Sequence, residues 1–125
     1  MLHTYMNYLI LAMVSALFSL PQLAHEQKAP ESSFPAENRA AYEMLEKIAA
    51  CESRSKHFDD DGNILIGANR YDIGKYQINA IYWQSLAEKL GYDIYTEEGN
   101  EAMAMELYRR YGTGPWHWSK KCWSK

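Results

Sequence analysis

The chain contains two cysteines, Cys51 and Cys122, near opposite ends of the part that can fold, and their pairing constrains the fold more than any other feature. A bond between them closes nearly the whole folding segment into one loop. It also holds the run around Glu52 against the aromatic tail at 118–123. The chain-entropy model values a closure of that size at roughly 4 kcal/mol. Disulfides form and persist in oxidising compartments, so the expectation turns on export.

Residues 1–24 contain no Lys, Arg, Asp or Glu, although the chain carries 13 Lys and Arg and 16 Asp and Glu. Residues 8–20 are almost continuously apolar, and Pro21-Gln22-Leu23-Ala24 and polar His25-Glu26-Gln27-Lys28 follow. That is the pattern of a secretory signal peptide over 1–24, cut near Ala24. An uncleaved anchor is the alternative, because the leader has no Lys or Arg and Gln22 is large for a cleavage region. The apolar run is short for a membrane span. The expectation is export to the periplasm, cell surface or medium, with no membrane span after cleavage and a Cys51–Cys122 disulfide. Two free thiols are the alternative; zinc would need a further cysteine pair or a close His pair.

Residues 25–38 hold Pro30, Ser32, Ser33 and Pro35 without periodicity and read as a linker. One small domain remains, 39–125, expected to act as a monomer around a limited core. The net charge of −3 argues against nucleic acid, which selects basic surfaces. No cofactor or metal is expected. Asp59, Asp61 and Asn63 superficially suggest a calcium loop but lack its Gly and distal Glu, and read as a solvated turn.

Inside the domain, apolar residues predict a helix over 37–51 that buries Tyr42, Leu45, Ile48 and Ala49. Positions 45, 48, 49 and 52 share one stripe, so Glu52 continues the buried face. Burial disfavours the charged carboxylate and suits it to act as a general acid; a head that bends back to solvent is the alternative. His57-Phe58 and Ile64-Leu65-Ile66 flank turn residues and predict a small hairpin. Asn79 can cap a helix over 80–90 that ends at Gly91, with Ile81, Ser85 and Leu86 on one face. Thr96 can cap another, with Glu97 and Glu98 favourable against its dipole. That helix is apolar on two sides (Ala102, Met105 and Tyr108; Met103 and Leu107) and should be central. The fold class expected is mainly α with a minor β-hairpin. Trp83 and Trp123 are expected to be buried.

Glu52-Ser53, then Gly74-Lys75-Tyr76-Gln77-Ile78-Asn79, then Asn100 opening a helix resemble the lysozyme-like superfamily, in particular the transglycosylase domain of soluble lytic transglycosylases. The resemblance covers about 42–123, and the tail from Gly112-Thr113-Gly114-Pro115-Trp116 to Cys122-Trp123 is similar to that of small secreted bacterial members. It implies an α+β lysozyme-like fold and an enzyme that cleaves peptidoglycan glycan strands. Glu52 would be the catalytic acid. Ser53, Gly74, Gln77, Asn79 and Asn100 would shape the cleft, and Tyr76 would contact the sugar. The family's active-site Tyr would fall at Leu107, which makes Tyr108 the nearest candidate, and Ala104 stands where the family often has Gly.

Hydrolysis normally takes a second carboxylate. Asp59, Asp60 and Asp61 read as surface charges; Asp72 could approach the cleft or serve a turn. Related goose-type lysozymes carry a carboxylate where this chain has Asn79. The resemblance therefore implies the one-carboxylate route: Glu52 protonates the bond between N-acetylmuramic acid and N-acetylglucosamine, then takes the proton of the C6 hydroxyl, leaving a 1,6-anhydro end. A hydrolytic lysozyme, a non-catalytic glycan-binding module and a small structural or inhibitory protein are the alternatives.

Overall fold

The computed structural model describes residues 36–125. The expected leader and all but the end of the linker lie outside the described residues. The elements are α1 (Ala36–Ser53), β1 (Asp72–Ile73), β2 (Ile78–Asn79), α2 (Ala80–Leu90), α3 (Glu97–Tyr111), a 3-10 helix (Gly114–Ser119) and the short α4 (Lys120–Trp123). The domain is mainly helical with a two-stranded antiparallel sheet and a Cys51–Cys122 disulfide. Among the described residues no helix is long and apolar enough to cross a membrane.

Helix α1 buries Leu45, Ile48 and Ala49 at the expected spacing. Tyr42 is 40% exposed, against expectation, because the core begins one turn later at Leu45. The helix continues through Glu52 and Ser53, so the acid sits on regular backbone. It stops because Arg54 and Ser55 take left-handed conformations, and the Ser55 amide closes the end on Ala49 O at 3.0 Å.

The predicted hairpin at 57–66 shrinks to a single bridge, Phe58↔Ile64. Its middle strand divides its backbone bonds: Leu65 N donates to His57 O, while Leu65 O accepts from Gly74 N. Asp59 Oδ1 accepts from the amides of Asp61 and Asn63, which ties the turn locally. The regular pairing lies further on, between β1 and β2, in register Asp72↔Asn79 and Ile73↔Ile78. Its turn needs glycine at 74: φ is +69°, and an added Cβ would lie 2.3 Å from His57 Cε1.

Two buried polar side chains lock this hairpin in place. Asn100 is fully buried; Oδ1 accepts from Tyr76 N at 3.0 Å, and Nδ2 donates to Ile73 O and Ile94 O at 2.9 Å each. His57, also buried, lies 3.2 Å from the Lys75 amide at Nδ1 and 2.9 Å from Tyr95 O at Nε2. Since Nδ1 accepts, Nε2 carries the proton and donates.

Both later helices have the expected caps. Asn79 Oδ1 accepts from Tyr82 N, and Gly91 ends α2 in the left-handed region at φ 79°. Thr96 Oγ1 accepts from Gly99 N at 3.0 Å. In α2 the buried face is Ala87 with Leu86 and Trp83 partly covered, whereas Ile81 is 65% exposed. Of the face that Ile81, Ser85 and Leu86 share, only Leu86 is partly covered, so the helix lies shallowly on the core. Helix α3 is central, burying Met103, Ala104 and Leu107.

The tail folds back because its indoles bury and bond. Trp116 Nε1 donates to Tyr76 O at 2.9 Å, and Trp123 Nε1 donates to Trp116 O at 3.1 Å. Trp123 is buried as expected, and Trp83 is only half-buried, at the edge of a cavity.

Candidate functional site

Helix α1, the sheet, α2, α3 and the tail together enclose a cavity of about 670 Å³. Glu52 lines it from α1, Asp72, Gln77 and Asn79 from the hairpin, and Trp116 and Trp118 from the tail. A second cavity of about 440 Å³ shares Glu52 and Gln77 with the first. The acid therefore stands where two concave surfaces meet.

The Glu52 carboxyl is pushed above its ordinary range mainly by burial; the Ser119 hydrogen bond opposes this, and the negative charge of Asp72 adds to it. Ser119 Oγ donates to Glu52 Oε1 at 2.5 Å. Asp72 sits differently: Oδ1 accepts from Asn79 Nδ2 at 2.9 Å and Oδ2 from Asn69 Nδ2 at 2.8 Å. Asn69 is itself fixed, because its Oδ1 accepts from the Tyr71 and Asp72 amides. Glu52 is thus half-buried and raised by that burial, while Asp72 has an amide donor on each oxygen.

Of the residues singled out in the sequence, Glu52, Gln77 and Asn79 come together in the larger cavity. Gln77 Nε2 donates to Gly74 O at 2.8 Å, and Asn79 serves as helix cap, Asp72 donor and cavity wall at once. Ser53 lines only the smaller cavity, and its hydroxyl donates to Lys75 O at 2.6 Å, bracing α1 against the turn. Gly74, Tyr76, Asn100 and Tyr108 line neither cavity. Tyr76 is 6% exposed and packs toward Trp116 in the core. Burial foremost, then Glu101, Glu46 and Tyr42, push its phenol up to about 12. It is a core residue, not an open sugar platform, because the turn directs its ring inward. Asn100 is likewise a backbone clamp. Leu107 takes the cavity position, and Tyr108 packs against the core one step on.

Asp72, for which the sequence leaves a place near the cleft or a turn role open, lines the larger cavity. Trp118, one of the aromatic residues the sequence offers as sugar-stacking rings, lines the cavity, whereas Tyr82 and Tyr111 in its wall and Ser119 beside Glu52 carry no such signal in the sequence. Trp118 is 89% exposed, Tyr82 75% and Tyr111 51%, so open aromatic rings stand along the cavity edge. The disulfide was the one available signal for Ser119, since it brings the tail to Glu52. Among the described residues no three His, Cys, Asp or Glu side chains cluster as metal ligands would.

Compared with protein-family models, curated proteins and solved structures, the chain matches none.

Proposed function

We propose that this chain cleaves the glycan strands of peptidoglycan at the bond between N-acetylmuramic acid and N-acetylglucosamine, with Glu52 as the acid. The observation that carries the reading is a half-buried carboxyl, raised by that burial, in the wall of two cavities and with the charge of Asp72 acting on it. A binding module gains nothing from holding an acid in that state, whereas protonation of a leaving oxygen requires one. The exposed Trp118, Tyr82 and Tyr111 rings offer apolar faces on which sugar rings stack. Export of the chain through its leader would bring the enzyme to this substrate.

The ground for the lyase outcome in the sequence was Asn79, standing where related lysozymes carry a carboxylate. Asp72 lines the same cavity as Glu52 and is the candidate for a second carboxylate. Held by Asn69 and Asn79, it supports hydrolysis, with Asp72 facing the cationic sugar or readying water. The lyase outcome is the second reading, favoured by the order of the Glu-Ser, Gln-Ile-Asn and Asn motifs. Mass spectrometry of digested sacculi separates them: reducing ends are expected, 1,6-anhydro ends would make the protein a lytic transglycosylase, and intact strands would remove the enzymatic reading altogether.

A further inference from the structure

Ser119 ends the 3-10 helix one turn before Cys122, whose bond to Cys51 fixes this part of the tail beside Glu52. Its single hydroxyl proton has two acceptors in reach, Glu52 Oε1 at 2.5 Å and Trp116 O at 3.1 Å. Trp116 O already receives the Trp123 indole N–H at 3.1 Å, so it does not depend on Ser119. The contact to Glu52 is the shorter of the two. Among the described residues, Glu52 Oε2 has no hydrogen-bond partner.

We propose that Ser119 is a positioning residue for the acid: its hydroxyl holds Oε1 as an acceptor, so that the proton of neutral Glu52 is carried on Oε2. An oxygen that already accepts a hydrogen bond is the poorer place for a proton, and a protonated carboxyl has only one O–H to place. When the proton leaves Oε2 for the substrate, the same hydroxyl keeps donating to Oε1 and stabilises the charge that develops. No group has to turn during the step. The disulfide thereby acquires a chemical purpose, since it keeps donor and acceptor together across a sequence separation of 67. The inference rests on Glu52 being the acid of the proposed reaction.

Other titratable groups line the two cavities that Glu52 lines. Asp72 of β1, Tyr82 of α2, Tyr111 of α3 and His117 of the 3-10 helix line the larger cavity. Arg54, Lys56, Asp59 and Asp60 line the smaller one. Burial raises Glu52, Ser119 opposes it, and Asp72 adds to the rise. Loss of the Ser119 hydroxyl leaves the two raising causes unopposed.

The test is a carbon-13 NMR titration of the Glu52 carboxyl in wild type, Ser119→Ala and Ser119→Thr, paired with the pH profile of kcat on peptidoglycan. In Ser119→Ala the midpoint and the alkaline limb of kcat should both move to higher pH. Its kcat should fall about tenfold with KM unchanged, as for a misaligned acid. Ser119→Thr, which keeps a hydroxyl, should return both toward wild type. An unmoved midpoint in folded Ser119→Ala overturns the proposal, because a hydroxyl spent on Trp116 O would leave Glu52 as it was. If wild type itself cleaves nothing, the functional reading fails, and the titration still decides whether Ser119 holds the carboxyl.

Discussion

Asn100→Ala should unfasten the hairpin that carries Asp72, Gln77 and Asn79. The side chain is fully buried and makes three hydrogen bonds, to Tyr76 N, Ile73 O and Ile94 O. Each is worth about 1 kcal/mol net, and a buried group left without a partner loses about 1–3 kcal/mol. Truncation should therefore destabilise the domain by about 3–5 kcal/mol, a large part of the roughly 5–15 kcal/mol typical of native domains. For a domain of this size that lowers Tm by roughly 15–25 °C. Urea denaturation followed by tryptophan fluorescence and by circular dichroism measures it. Asn100→Asp is the informative partner variant: it keeps an acceptor for Tyr76 N but turns the donor toward Ile73 O and Ile94 O into a second oxygen. It should be at least as damaging at neutral pH. A loss under about 1 kcal/mol in Asn100→Ala would refute the clamp and return Asn100 to the role of a cleft residue.

Gly74→Ala should destabilise by roughly 2–4 kcal/mol, because the new Cβ meets His57 Cε1 at 2.3 Å and φ is +69°; a near-neutral change in thermal unfolding would mean the turn can move aside. Trp118→Ala should leave stability within about 0.5 kcal/mol, since the ring is 89% exposed, yet weaken binding of a peptidoglycan oligosaccharide about fivefold by calorimetry. Unchanged affinity would take Trp118 out of the glycan path. Glu52→Gln should be as stable as wild type or more so at neutral pH. Burial raises the folded Glu52 carboxyl above its ordinary 4.5, so the native state binds the proton more tightly than the unfolded chain. Stability from this group is full below that ordinary value and falls as pH rises through the higher folded one. The Gln variant lacks that fall, and Tm measured across pH shows it; a Gln variant that is less stable at neutral pH would contradict the desolvation.

Local chemistry carried much of this structure into view. Asn79, Gly91 and Thr96 act as caps through their own backbone geometry, so α2 and α3 were readable at both ends or at the start. Helical spacing placed Leu45, Ile48 and Ala49 inside, and the two cysteines pair. The sheet was not readable, because strands this short leave no alternation to detect. Its position depends on Asn100 and His57, which lie far along the chain from the residues they hold. The same limit hid the inward turn of Tyr76. In the site, Glu52, Gln77 and Asn79 were visible from their pattern, whereas Ser119 reaches Glu52 only after Trp116, Trp123 and Cys122 have packed the tail. Asp72 is ambiguous in the sequence because its partners, Asn69 and Asn79, meet it only once the hairpin has formed.

The most direct measurement compares the rate at which purified wild type and Glu52→Gln release soluble fragments from peptidoglycan, both shown to be folded. The amide keeps the size of the side chain and cannot give up a proton to the leaving oxygen. The account predicts a loss of about a thousandfold, the scale of positioned acid catalysis. A Gln variant that keeps more than a tenth of the wild-type rate would contradict it.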